Sequence, residues 1–123
     1  MAYTKNDYHV GQQVIVLNLN KLKGRQIEWV TYTAEVVKIG RTFMYAQLPG
    51  PWELQFDMET GLEAKNQRYK VFLTMNDYID FHNTYILRPI VKRALGRQLR
   101  TMNVDQLIAI AQILGVEYEG VMI

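Results

Sequence analysis

The hydrophobic pattern of the chain changes near residue 73, from a period of two residues to a helical period. The clearest alternation lies at residues 53–58, where Leu54, Phe56 and Met58 are separated by polar residues. Successive side chains of a strand point to opposite faces, so this segment is predicted to be a strand with one face in the core. The region before residue 73 is therefore predicted to form a β-sheet.

The centre of this region is an apolar run at residues 33–46, interrupted by Gly40-Arg41. We interpret it as a hairpin in which Gly40 supplies the positive φ that a two-residue turn requires. Other strands are predicted over residues 12–17, over residues 26–32 leading into the strand that ends at residue 39, and over residues 42–48 and 68–73, the last with Tyr69, Val71 and Leu73 facing inward. Short strands separated by turn residues are typical of a small antiparallel barrel.

Helical spacing begins after residue 73. Thr74 and Asp77 form a helix-start pattern, because a hydroxyl can accept an amide proton of the first turn and a carboxylate favours the positive end of the helix dipole. Aromatic residues then recur on one predicted face, at Tyr78, Phe81, His82 and Tyr85. Pro89 is predicted to end or kink this helix near Arg88, with a further helical piece over residues 90–95.

The last predicted helix has both of its ends marked. Asn103 with Gln106 is a start pattern, and Gly115 is a stop. The apolar face between them consists of Val104, Leu107, Ile108, Ala111 and Leu114, widened by Ile110 and Ile113. We expect this helix to be buried over more than half of its circumference.

These elements predict an α+β fold in one domain. The predicted parts are an N-terminal arm (residues 1–9), a β-barrel (10–73), a helical cap packed on the barrel (74–116) and a tail (117–123). A chain of 123 residues suits a single core.

Composition narrows the class of protein. Hydrophobic residues make up 49% and charged residues 21%, which is ordinary for a globular domain. The absence of cysteine excludes disulfides and thiolate zinc sites. No signal-peptide core and no run of membrane-spanning length occurs, so we expect a soluble, cytoplasmic protein that contacts no membrane.

Catalytic chemistry has few candidates. His9 has no neighbour at ligand spacing, and His82 is interpreted as a packed aromatic residue rather than a functional one. Asp77 and Asp80 could bind a magnesium ion, but a charged helix N-terminus explains them more simply. The glycines never form a phosphate-binding loop. We expect no enzyme, no cofactor and no metal.

A basic stretch between Phe81 and Asn103 contains no acidic residue. Its cations are Arg88, Lys92, Arg93, Arg97 and Arg100. On a helix they would form a positive patch that could meet nucleic-acid phosphates or an acidic protein surface. The alternative is a solvated helical face with some arginines paired to Glu117 or Glu119. The net charge of +2 and the pI near 8.9 do not decide between them.

Aromatic side chains along the strands could stack on bases or hold a peptide. They are Trp29, Tyr32, Phe43, Tyr45 and Trp52. Most are expected to fill the core, because a small barrel needs large side chains. Trp52, which follows Pro49-Gly50-Pro51, is the candidate for an exposed binding residue.

Several segments resemble small β-barrel domain proteins encoded by bacteriophages and prophages. They are VGQQVIV (residues 10–16), EVVKIGRTFMY (35–45), FDMETG (56–61), YKVFLT (69–74), RTMNVDQL (100–107) and ILGV (113–116). The resemblance implies an SH3-like barrel, although Met44 stands where an aromatic residue is usual. It also implies a phage origin, a location in the host cytoplasm and an accessory role, and it supplies no catalytic residues.

Three functions are compatible with this pattern. The first is a binding protein that blocks a host or defence protein, as anti-CRISPR proteins do. The second is a nucleic-acid binder that uses the barrel aromatics and the basic stretch. The third is a minor virion or assembly component. A homodimer is also considered, formed by an edge strand such as residues 26–32, because unpaired strand edges can bind a second chain.

Overall fold

The computed structural model describes residues 3–120, so the first two residues of the predicted arm and the last three of the predicted tail lie outside the described part. Within it the strands are Gln13–Asn18 (β1), Thr31–Ile39 (β2), Phe43–Gln47 (β3), Glu53–Asp57 (β4) and Tyr69–Phe72 (β5), and the helices are Met75–Gln98 (α1) and Val104–Leu114 (α2). Short 3₁₀ helices cover Lys5–Asp7, Leu19–Leu22 and Leu99–Thr101. The predicted α+β class, an antiparallel sheet followed by helices, is confirmed.

The chain divides into two compact units, Met1–His82 and Asn83–Ile123. The first, the sheet unit, contains all five described strands and the beginning of α1. The second, the helical unit, contains the rest of α1 and α2. Packing of residues 83–116 on the barrel stays a prediction.

The strands of the sheet unit lie in the order β4-β3-β2-β1-β5, and every neighbouring pair is antiparallel. The sheet is curled, and a short segment bridges its two edges. In that segment Leu62 pairs with Lys70 of β5, and Glu63 pairs with Phe56 of β4. The result is a half-barrel with bridged edges, and the SH3-like barrel implied by the resemblance stays a prediction.

A β-bulge in β2 contributes to the curl. Val36 lies opposite Ala46 and Lys38 lies opposite Tyr45, so Val37 is an extra residue in the ladder. A bulge bends its strand and increases the local twist. No feature of the sequence marks this position.

The main core lies on one face of the sheet. Its central side chains are fully buried: Val14, Val16, Val36, Met44, Phe56 and Val71. The alternation predicted for β4 is confirmed, because Phe56 and Met58 are buried while Glu53 is exposed. Met44 is among the fully buried side chains that fill the core.

A second apolar cluster covers the other face of β1 and β5. Leu17, Leu22 and Phe72 are its buried members, and Trp29, Tyr78 and Phe81 pack against them. The prediction for β5 placed only Tyr69, Val71 and Leu73 inward, so it missed Phe72. The His82 ring lies 4.0 Å from the Trp29 ring, which agrees with its interpretation as a packed residue.

The N-terminal arm is part of the core, although its sequence has no periodicity. Tyr8 is buried, and its hydroxyl donates to the Met58 carbonyl at 3.2 Å. Tyr3 packs edge-on against Tyr8 and donates from its hydroxyl to Asp77 Oδ2 at 2.7 Å. The arm is thus tied both to the sheet and to the start of α1.

Three sequence-based predictions about the strands and α1 are wrong. Gly40 does not have positive φ, since the hairpin loop has the three residues Gly40–Thr42 and the Gly40 amide donates to the Phe43 carbonyl at 2.8 Å. Residues 26–30 are not a strand, and β2 lies inside the sheet, so it cannot be a dimerising edge. The predicted end of α1 near Arg88 is wrong, because Pro89 lies inside one continuous helix at an exposed position where solvent can bond the freed carbonyl. The alternative, a kink at Pro89, stays a prediction.

The local helix-end predictions are confirmed. The Asp77 amide donates to Thr74 Oγ1 at 3.1 Å. Asn103 and Gln106 form a reciprocal capping box, and Gly115 ends α2 in the left-handed conformation with φ of 67°. The expected burial of α2 is wrong for the single chain, because none of its residues is buried.

Gly61 provides a test of the bridged edges. Its φ is +75°, and an added Cβ would lie 3.1 Å from the Val71 carbonyl oxygen, whereas Gly24 has φ of +97° and open space. We expect Gly61→Ala to lower the free energy of unfolding by about 2–4 kcal/mol and Gly24→Ala by only about 1 kcal/mol, since only the first adds a backbone clash to the strain of positive φ. Urea unfolding measures both, and equal losses would contradict the close approach at Gly61.

Candidate functional site

The basic residues singled out from the sequence lie together in the helical unit. Arg88, Lys92, Arg93 and Arg97 belong to α1, and Arg100 belongs to the 3₁₀ helix that follows it. All five side chains are exposed. We call this set the basic face.

The continuity of α1 through Pro89 is what gives the basic face its geometry. At about 100° per residue, Arg88, Lys92, Arg93 and Arg97 occupy one half of the helix circumference. The opposite half carries an apolar stripe of Leu87, Ile90, Val91, Ala94 and Leu95. A helix that ended at Arg88 would have separated the first cation from the others.

The electrostatic character of the basic face follows from its composition. Between Asp80 and Asp105 the chain carries no carboxylate, so no acidic side chain on this part of the helix opposes the positive charge. Four of the five cations are arginines, whose planar guanidinium groups can bind a phosphate or a carboxylate through two hydrogen bonds. The arrangement can therefore bind anionic groups.

Trp52 belongs to the sheet unit, whereas the basic face belongs to the helical unit. It follows a turn at Gly50, its carbonyl accepts from the Leu48 amide at 2.8 Å, and its side chain is 59% exposed. With Leu48, Leu54 and Tyr69 it lines an open, mostly apolar pocket of about 220 Å³. The exposure expected from the sequence is what the structure shows.

A larger open pocket, of about 460 Å³, was not anticipated from the sequence. It lies between the N-terminal arm, the β2–β3 loop and the turn after β4, and is lined by Tyr3, Thr4, Lys5, Arg41, Thr42, Asp57, Met58 and Glu59. Burial, assisted by the hydrogen bond to Asp77, raises the pKa of Tyr3 to about 12. Tyr3 therefore stays neutral at physiological pH and acts as a hydrogen-bond donor. The sequence did not indicate this pocket, because its lining comes from three segments that are distant from one another in the chain.

The remaining candidates for chemistry do not form a reactive centre. The Asp77 carboxylate accepts from the Tyr3 hydroxyl, which is a structural role. His9 and Asp80 are exposed. Within residues 3–120, no group of three or more His, Asp or Glu side chains could hold a metal ion. No helix of that part of the chain has the length and apolarity needed to cross a bilayer.

Comparison with known protein families identifies a family that the chain matches. The chain matches the Phage ProQ C-terminal-like domain over residues 1–119, which covers both units. The resemblance to small phage and prophage proteins is therefore confirmed at the level of the family. Neither the curated proteins nor the solved structures give a significant match.

Proposed function

The chain belongs to the Phage ProQ C-terminal-like domain family, and from this premise we propose that it is a non-enzymatic phage accessory protein that binds nucleic acid. In this proposal the basic face contacts the phosphate backbone, and the sheet unit is the folded scaffold from which α1 extends. The protein would act in the host cytoplasm, where phage and host nucleic acids are both present.

The basic face is the observation that supports this proposal. Arg88 and Arg97 lie nine residues apart on α1, which corresponds to about 14 Å along the helix axis. Phosphates of one strand in a duplex rise by about 3.4 Å per base pair, so this length spans roughly four of them. The number of cations on the face and the number of phosphates within reach are thus similar.

The proposed contacts carry no sequence information. Arginine and lysine contacts to phosphate oxygens position a protein on a nucleic acid, whereas base-edge contacts provide specificity. The side chains of the basic face are long and flexible, so they can follow phosphates of different backbones. We therefore expect binding that depends on salt and tolerates many sequences.

Arg93 and Arg97 provide the main test. We expect Arg93→Glu with Arg97→Glu to weaken binding to a fluorescent duplex at least about 100-fold at low salt, because two phosphate contacts become repulsive. For the unaltered chain, the plot of log K against log salt should have a slope of about −4.5, since five contacts release their counterions. Fluorescence anisotropy titrations at several salt concentrations measure both quantities.

The matched control is Lys21→Glu with Arg25→Glu. Both side chains are exposed in the sheet unit, and the substitutions change the net charge by the same amount. This variant should bind within about threefold of the unaltered chain, because its charges lie outside the proposed contact. Equal losses in the two variants, or no binding at low salt, would exclude the proposal.

A second candidate function is the blocking of a host or defence protein, as in anti-CRISPR inhibitors. The exposure of Trp52 beside an apolar pocket favours it, because tryptophan is enriched among the residues that dominate protein–protein binding. In this case the rim of the sheet unit, rather than the basic face, would contact the partner.

Trp52→Ala distinguishes the second candidate. Affinity capture from an extract of the phage's host should yield one stoichiometric partner for the unaltered chain, and its Kd should rise at least about 30-fold in Trp52→Ala, since a central aromatic anchor contributes about 2 kcal/mol or more. Ile27→Ala is the control, because Ile27 is also large, apolar and half-exposed. Unchanged affinity in Trp52→Ala would rule out this surface.

A further inference from the structure

α2 is a well-specified helix without a partner in its own unit. A capping box begins it and Gly115 ends it, yet no residue among 83–120 is buried, and α1 and α2 scarcely contact each other. Leu107 is 41% exposed and Leu114 is 67% exposed. An isolated helix shorter than about 12 residues is marginal in water, so α2 needs an apolar surface to cover it.

We propose that this surface is α2 of a second copy of the chain. The two helices pack antiparallel about a two-fold axis. Along the length of α2 this axis lies at the level of Ala109, the central residue of the helix. The contact uses the α2 stripe, defined as Val104, Leu107, Ile108, Ala111 and Leu114. This inference uses an apolar surface that the proposed nucleic-acid binding does not use, and the two proposals share only the cations Arg97 and Arg100, which precede α2.

The sequence of α2 is complementary to itself under such an axis. An antiparallel pair centred on Ala109 places Val104 opposite Leu114 of the second copy. Leu107 lies opposite Ala111 in the same way, so that a large side chain meets a small one and the surfaces can interdigitate. The polar positions match as well, since Gln106 falls opposite Gln112. Each apolar position of the stripe thus faces another apolar position.

The charges on either side of α2 favour the antiparallel arrangement. Arg97 and Arg100 precede α2, whereas Glu117 and Glu119 follow it. Antiparallel packing brings the basic end of one copy beside the acidic end of the other, and it also opposes the two helix dipoles. The only charge within α2 is Asp105, and its two copies would be about 12 Å apart along the axis, beyond the Debye length of about 8 Å.

The contact is small. The five side chains of the stripe and the flanking charges are fewer than the about 20–30 residues per partner of a standard interface, so the choice of a second copy rests on complementary shape and charge. α2 has only one charged side chain, Asp105, through which a different protein could recognise it. A second copy, in contrast, is present wherever the chain is made.

The first test is the mass of the full chain in solution. Light scattering during size-exclusion chromatography should give twice the 14.4 kDa chain mass at micromolar concentration. Leu107→Glu should give the mass of one chain, because it places a carboxylate in the apolar contact. Ile113→Glu should remain dimeric, because Ile113 is 83% exposed and lies about 160° around the helix from Ala111.

The second test is disulfide cross-linking, which the absence of natural cysteine makes unambiguous. Ile108 lies one residue from the proposed axis, so its two copies are offset by only about 3 Å along the helices. Ile108→Cys should therefore cross-link rapidly on mild oxidation. Ile113→Cys, although more exposed, should cross-link far more slowly.

Each of the following outcomes would contradict the proposed dimer. A monomeric unaltered chain would mean that its own sheet unit or a different protein covers α2. A Leu107→Glu variant that stays dimeric would place the dimer contact elsewhere. Equal cross-linking at positions 108 and 113 would show random collision. If Leu107→Glu fails to fold, the comparison of cross-linking in Ile108→Cys and Ile113→Cys tests the proposal instead, because Ile108→Cys keeps a compact side chain at the contact.

Discussion

The coverage of β1 on both of its faces is the constraint on which the rest of the structure depends. Val14 and Val16 enter the main core, while Leu17 enters the second cluster with Phe72. A strand buried on both faces must have its amides paired on both edges, and β1 lies between β2 and β5. The position of β1 therefore brings strands from the beginning and the end of the sheet unit together.

The sequence predicted features whose cause is local. Asn103 and Gly115 specify the ends of α2 through bonds within a few residues, and the alternation around Phe56 specifies which face of β4 is buried. Features that depend on distant contacts were missed. The arm packs because Tyr8 reaches the Met58 carbonyl, fifty residues away in the chain, and Phe72 is buried because Trp29 and Phe81 arrive from elsewhere.

Two errors show how context changes the meaning of a residue. Gly40 permits a close approach rather than a positive φ, since a Cβ there would lie 3.3 Å from the Phe43 carbonyl oxygen, which is a tight contact. Pro89 removes one hydrogen bond from α1, but the helix continues for nine residues and unites the basic face. The basic residues and the exposure of Trp52 could be anticipated from the sequence, and the role of both in binding stays a prediction. The pocket beside Tyr3 could not be anticipated, because it is assembled from three segments that are distant from one another in the chain.

The helical unit differs from the sheet unit in the burial of its apolar side chains. Its apolar residues recur with helical spacing, but none of the side chains described at residues 83–120 is buried. The basic face and the α2 stripe have no residue in common. In the proposed dimer, the order of the helical unit depends on the second copy that covers α2.

Amide hydrogen exchange at two protein concentrations tests this account most directly. The amides of β1 should exchange slowly and equally at both concentrations, because their protection comes from the sheet unit alone. The amides of α2 should be protected in the concentrated sample and exchange quickly in the dilute one, because dilution separates the two copies. Equal protection of α2 at both concentrations would contradict the account.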